Sequence, residues 1–167
     1  MKLRTRELAG ARKLGHATRI AGTNGRKGGE LAVAAGQVIA KRAALAAAAM
    51  VDPLNADLVE FARIIPERTT AFSSAGMAWL RGSSEAAQRM SAFTASELAK
   101  AATAAVAIAG RKTPAGIMAA QSRFATAWFA RVFSQSIALG SLAMKSQSAA
   151  MAPIYRAAVQ NARRLGR

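Results

Sequence analysis

Between Leu54 and Phe93 the apolar residues recur in steps of three and four. Leu54, Leu58, Phe61, Ile65, Phe72, Trp79, Ala86, Met90 and Phe93 hold one phase, with Arg68, Ala75 and Ser83 in the remaining slots. A helix of 3.6 residues per turn keeps such positions on one face, whereas a strand would scatter them over two. The phase crosses Pro66 intact. Proline removes one backbone donor and crowds the preceding turn, so a kink, or a break with a new helix begun at Pro66, is expected with the amphipathic face retained. Gly76 and Gly82 weaken the following segment by roughly 1 kcal/mol each relative to alanine.

A second stripe follows. Ile117, Phe124, Trp128, Phe129, Val132, Phe133, Leu139 and Leu142 fall on one broad side of a helix, while Arg123 and Lys145 project from the other and Arg131 lies near the edge. Between the stripes, GRKTP (110 to 114) reads as a stop and restart, with Gly110 as C-cap, Thr113 as N-cap and Pro114 at the first helical position. Upstream, Val51-Asp52-Pro53 ends an Ala-rich helix, and Asp52 and Pro53 are placed to cap and begin the next. Pro153 is expected to break the last helix before a basic tail. The glycines of GTNGRKGG (22 to 29) read as a flexible loop that closes a basic arm. The resulting division is an arm at 1–29, a helical region at 30–152 and a tail at 153–167.

About a quarter of the 167 residues are alanine and only nine are aromatic. Alanine favours helix but buries little area, and no segment shows the period-two alternation of a strand. The expected fold is therefore all-α: long, amphipathic, Ala-rich helices in a coiled-coil or helical-bundle arrangement, with the flexible basic arm at the N-terminus.

The net charge of +16 is uneven. Residues 1 to 45 and 101 to 167 are strongly cationic, and the middle carries slightly more acids than bases. This pattern suits either an anionic partner or a solvated surface. Candidate phosphate contacts are Arg4, Arg6, Arg12, Lys13, Arg26 and Lys27 at one end and Arg163 and Arg164 at the other. The arm holds no aromatic residue, so any nucleic-acid contact would be to phosphate and not to bases.

Cysteine is absent, and His16 is the only histidine. Thiolate chemistry and a two-histidine metal site within one chain are thereby excluded, and no cofactor is expected. GARKLGHA (10 to 17) resembles a phosphate-binding loop but has His16 and Ala17 where lysine and Ser/Thr should stand. Asp57, Glu60 and Glu67, beside Arg63 and Arg68, read as a solvated, ion-paired face and not as a catalytic cluster. The first residues lack the apolar core of a secretory signal. The two most apolar stretches are interrupted by Lys41-Arg42 or too short for a membrane span, so a chain without a transmembrane segment is expected.

The stripes have two readings. They can pack helix against helix, within the chain or between copies, or they can adsorb to an apolar boundary. Six to eight half-buried large side chains at such a boundary would contribute on the order of 5–10 kcal/mol before ordering costs. The candidate surface or oligomer face is Leu54, Leu58, Phe61, Ile65, Phe72 and Trp79, with Phe124, Trp128, Phe129, Val132 and Phe133.

PERTTAFSSAGM (66 to 77), RKTPAGIMAAQSRFA (111 to 125) and MAPIYRAAVQNARRL (151 to 165), in this order and joined by Ala-rich helix, resemble the phasin family. Phasins coat intracellular polyhydroxyalkanoate granules in bacteria. The resemblance covers roughly residues 37 to 165. It implies a cytoplasmic, granule-associated, non-enzymatic helical protein, often homo-oligomeric, that limits granule coalescence and size and can contact the polymer synthase or depolymerase. Two features depart from the pattern: Gly116 stands where an acidic residue is common, and the charge is far more positive than usual. Two alternatives stay open at this point, a basic nucleoid-associated DNA-binding protein and a peripheral membrane protein using the same faces.

Overall fold

A computed structural model describes residues 2–166, with side chains described at residues 12, 15, 16 and from 18 onward. Three long helices account for nearly all of it: α1 (Lys2–Val51), α2 (Leu58–Ala109) and α3 (Pro114–Leu165). A single 3-10 turn, Pro53–Asn55, lies between the first two, and there is no strand among the described residues.

The helices continue through sequences expected to stop them. Residues 22–29 are helical and continuous with α1, not a loop. No glycine among the described residues takes a positive φ, so these glycines serve no turn. Their weak helix propensity is a local cost that packing overrides. Asn24 is buried and donates from Nδ2 to the carbonyl of Met144 on α3 at 3.1 Å. Tyr155 of α3 donates to Glu30 Oε2 at 2.6 Å, which raises the phenol above its ordinary range. Likewise α2 runs through Pro66, and α3 runs through Pro153 to Leu165, so the expected break before the C-terminal tail does not occur. Each proline removes one backbone donor from a helix that holds many others.

The first connection also differs from expectation. Asp52 precedes the 3-10 turn, where its carboxylate accepts from Asn55 Nδ2 at 2.8 Å and is held below its usual range. The cap of α2 is Asp57, whose Oδ1 accepts the Glu60 N–H at 2.9 Å. At the second connection the expected cap is present: Thr113 Oγ1 accepts the Gly116 N–H at 3.1 Å, and α3 starts at Pro114. Gly116 occupies the third helical position, where an acidic residue would complete a capping box. A Cβ there would lie 3.0 Å from the Thr113 hydroxyl.

The chain divides into two compact units. One joins Thr18–Arg81 with Met144–Arg167, so that parts of all three helices pack together; the other joins Met1–Ala17 with Gly82–Ala143, in which the α2–α3 hairpin lies. The apolar residues buried among those described are Ala34, Val38, Ala71, Ala75 and Leu142. Alanines at the seam let helix backbones approach closely but contribute little burial energy.

Candidate functional site: outward apolar faces and inward ion pairs

The core is small because the large apolar residues are on the outside. On α2, Leu58, Ile65, Phe72 and Trp79 follow one another at intervals of seven residues, a spacing that drifts only about 20° per step on a straight helix. All four are exposed, Phe72 at 61% and Trp79 at 59%. The same stretch turns Ala71 and Ala75 inward. In the hairpin unit, Phe129 (64%), Phe133 and Met118 of α3 are exposed, as are Leu98 and Val106 of α2. Trp128 is partly exposed and meets Phe129 edge to face, with ring centroids 5.0 Å apart.

Not every residue of the expected face points outward. Phe61, Phe124 and Val132 are half-buried. Leu54 is almost fully exposed but belongs to the 3-10 turn and not to α2. The phase of each stripe was readable from sequence, but which flank packs was not, because alanine seams give a weak hydrophobic signal.

Inside, charge takes the place of apolar bulk. Glu60 is only 4% exposed, so it is not the solvated acid expected from its neighbours. Its partners come from the other two helices: Arg42 of α1 donates to Glu60 at 2.8 Å and to Glu67 at 2.8 Å, and Arg164 of α3 reaches both carboxylates at 3.0 Å. Asn161 adds a 2.9 Å hydrogen bond to Glu67. Burial alone would lower the Arg42 guanidinium, but the hydrogen bonds and charges of Glu60 and Glu67 outweigh it and raise it above its ordinary value. In the hairpin unit, Arg131 donates to Glu97 through two bonds of 2.7 and 2.8 Å, and Lys100 adds a third at 2.9 Å. Hydrogen bonding from Arg131, helped by Lys100 and opposed by burial, lowers the Glu97 carboxyl to about 2. Arg131 also lies 5.8 Å from the ring centre of Phe124.

These inward pairs were missed from sequence because the partners of Glu60 lie 18 and 104 positions away. The available signal was charge set in an apolar stretch of helix, such as Lys41-Arg42 or Glu97. The pairing also removes Arg164 from the open cations proposed to meet phosphate. Arg12, Arg26 and Arg163 are exposed and Lys27 is half-exposed. The side chains of Arg4, Arg6 and Lys13 lie outside the described residues.

No group of three His, Cys, Asp or Glu side chains suited to a metal comes together among the described residues. Two segments, Thr18–Val51 and Leu58–Ala109, are long and apolar enough by length and composition to cross a membrane, contrary to the reading of the sequence. Core helices of soluble proteins, which are mostly buried, meet the same criterion, but the apolar window is only 11% buried in the first segment and 0% in the second. Here Ala34 and Val38 of the first are buried against the rest of their unit, and the second carries the buried Glu60 and Glu97.

A family described as phasin protein matches residues 60–158, more than half of the chain. No curated protein and no solved structure matches. The matched region holds the α3 stripe, the α2 stripe from Ile65 onward, and the Glu97 pairs with Arg131 and Lys100, together with Glu60 and Glu67 of the three-helix network. Phasins are non-enzymatic, cytoplasmic proteins associated with polyhydroxyalkanoate granules. With its all-helical fold, capped α2–α3 connection and family match over these residues, the chain belongs to the phasin family.

Proposed function

We propose that the outward apolar faces make the contact with the granule polyester, and that the resulting coat limits granule coalescence and size. The observation that carries this reading is the inversion of side-chain size across α2: alanines fill the seam while Leu58, Ile65, Phe72 and Trp79 are left exposed. Packing within the chain therefore does not use up the stripe. An apolar boundary would cover it without unfolding the helices. Doubly substituting Trp128→Glu and Phe129→Glu is expected to displace the protein from granules while far-ultraviolet circular dichroism stays helical. Unchanged granule localisation would remove the α3 face from the mechanism.

The seven-residue spacing on α2 also suits self-association through the same face in the absence of polymer, giving a homo-oligomer whose interface opens on adsorption. On the granule, this coat is the surface that a polymer synthase or depolymerase meets. A second reading, non-specific contact with DNA, draws on one observation: Arg12, Arg26 and Arg163 are exposed in a chain of net charge +16. Such contact would weaken steeply with salt, whereas apolar adsorption would not.

A further inference from the structure

A cleft of about 530 Å³ runs between α2 and α3 in the unit that holds their proline-containing segments. Pro66 and Pro153 both line it, with Ala71 and Ala157, so short side chains leave the space. Along α2 it extends from Arg63 to Ser74, ~16 Å at the helical rise. Its volume is within the range of small-molecule sites.

Two guanidiniums in this cleft have no partner of opposite charge. Arg63 and Arg156 are exposed, and neither is paired with a carboxylate among the described residues; Arg156 donates only to the carbonyl of Ala152, at 3.3 Å. Thr70, Ser74 and Gln160 add hydroxyl and amide groups that can donate to a ligand's oxygens as well as accept. The one lining carboxylate, Glu67, is already taken by Arg42, Arg164 and Asn161. The local field is therefore positive, and no unengaged carboxylate lines the cleft.

We infer that this cleft binds a short, soluble hydroxyalkanoate oligomer by its terminal carboxylate, an inference that rests on the polyester reading above. A polyester chain offers only acceptors along its length, the ester and carbonyl oxygens, and ends in a carboxylate suited to a guanidinium. The position also favours a soluble ligand. At 100° per residue, Arg63, Pro66, Thr70 and Ser74 lie on the flank of α2 opposite Leu58, Ile65, Phe72 and Trp79. When the apolar face meets the granule, the cleft faces water.

The test is calorimetric titration of the full chain with linear 3-hydroxybutyrate trimer, its methyl ester and inorganic phosphate, with adsorption to polyhydroxybutyrate particles measured in parallel. One trimer is expected to bind per chain, with the methyl ester and phosphate at least tenfold weaker. Arg63→Gln with Arg156→Gln is expected to weaken the trimer at least tenfold and leave particle adsorption unchanged. Thr70→Val with Ser74→Ala, which keeps both charges, is expected to weaken it severalfold. No trimer binding by a chain that coats particles normally would overturn the cleft assignment and leave adsorption standing. Equal binding of phosphate or of the methyl ester would also overturn it. Failure of the unaltered chain to coat particles would instead contradict the adsorption reading, while the trimer titration would still decide the cleft.

Discussion

Arg131 and Glu97 face each other across the α2–α3 hairpin through two parallel hydrogen bonds of 2.7 and 2.8 Å, in a chain whose seams are otherwise largely alanine. A fork-to-fork pair of this kind fixes the register of two helices more sharply than methyl groups can, because each oxygen accepts from one particular nitrogen. The same device joins all three helices in the other unit through Arg42, Glu60, Glu67 and Arg164.

The Glu97 carboxyl is lowered from 4.5 to about 2. A group depressed on folding contributes stability that is fully present above its unfolded value and is lost as pH falls through its folded value. Thermal melts should therefore show stability declining between about pH 4.5 and 2, and Glu97→Gln should flatten that part of the profile. An identical acid limb in the variant would assign the loss to other carboxylates.

Breaking the three-helix network from one side leaves buried charge without compensation. Arg42→Ala is expected to destabilise the protein by about 3 kcal/mol in chemical denaturation. Replacing Arg42 and Glu60 together by Met and Leu should recover most of that loss, since apolar substitutes of similar volume commonly match a buried pair. A double variant no better than Arg42→Ala would show that the network specifies the fold.

The seam and the exposed glycines should respond in opposite directions. Ala75→Leu adds bulk at a buried position and should destabilise by about 1–3 kcal/mol. Gly76→Ala, one residue on, places a methyl group where no atom lies within 4 Å and should stabilise by about 1 kcal/mol. Urea midpoints of the two variants decide the point.

Thr113→Ala removes the hydroxyl that receives the Gly116 N–H and should cost about 1 kcal/mol. Thr113→Ser should retain most of the stability, as judged from the same denaturation curves.

Parts of this arrangement were legible in the sequence and parts were not, for physical reasons. The Thr113-Pro114 start of α3 was legible because capping is settled by neighbouring residues. The phase of Leu58, Ile65, Phe72 and Trp79 was legible because helical periodicity is local. The continuation of helix through GTNGRKGG and Pro153 was not, because contacts such as Asn24 to Met144 supply what local propensity withholds. The burial of Glu60 was hidden for the same reason: Arg63 and Arg68 are its neighbours in sequence, but Arg42 and Arg164 are its partners in space.

On the function proposed above, the outward face of α2 meets polymer by apolar contact. That contact is tested most directly by the fraction of protein bound to polyhydroxybutyrate particles from low to high salt, for the unaltered chain and for Phe72→Glu with Trp79→Glu. Binding of the unaltered chain is expected to persist at high salt, and the variant is expected to bind at least tenfold more weakly with its helicity retained. Equal binding by both, or loss of the unaltered chain from the particles as salt rises, would contradict it.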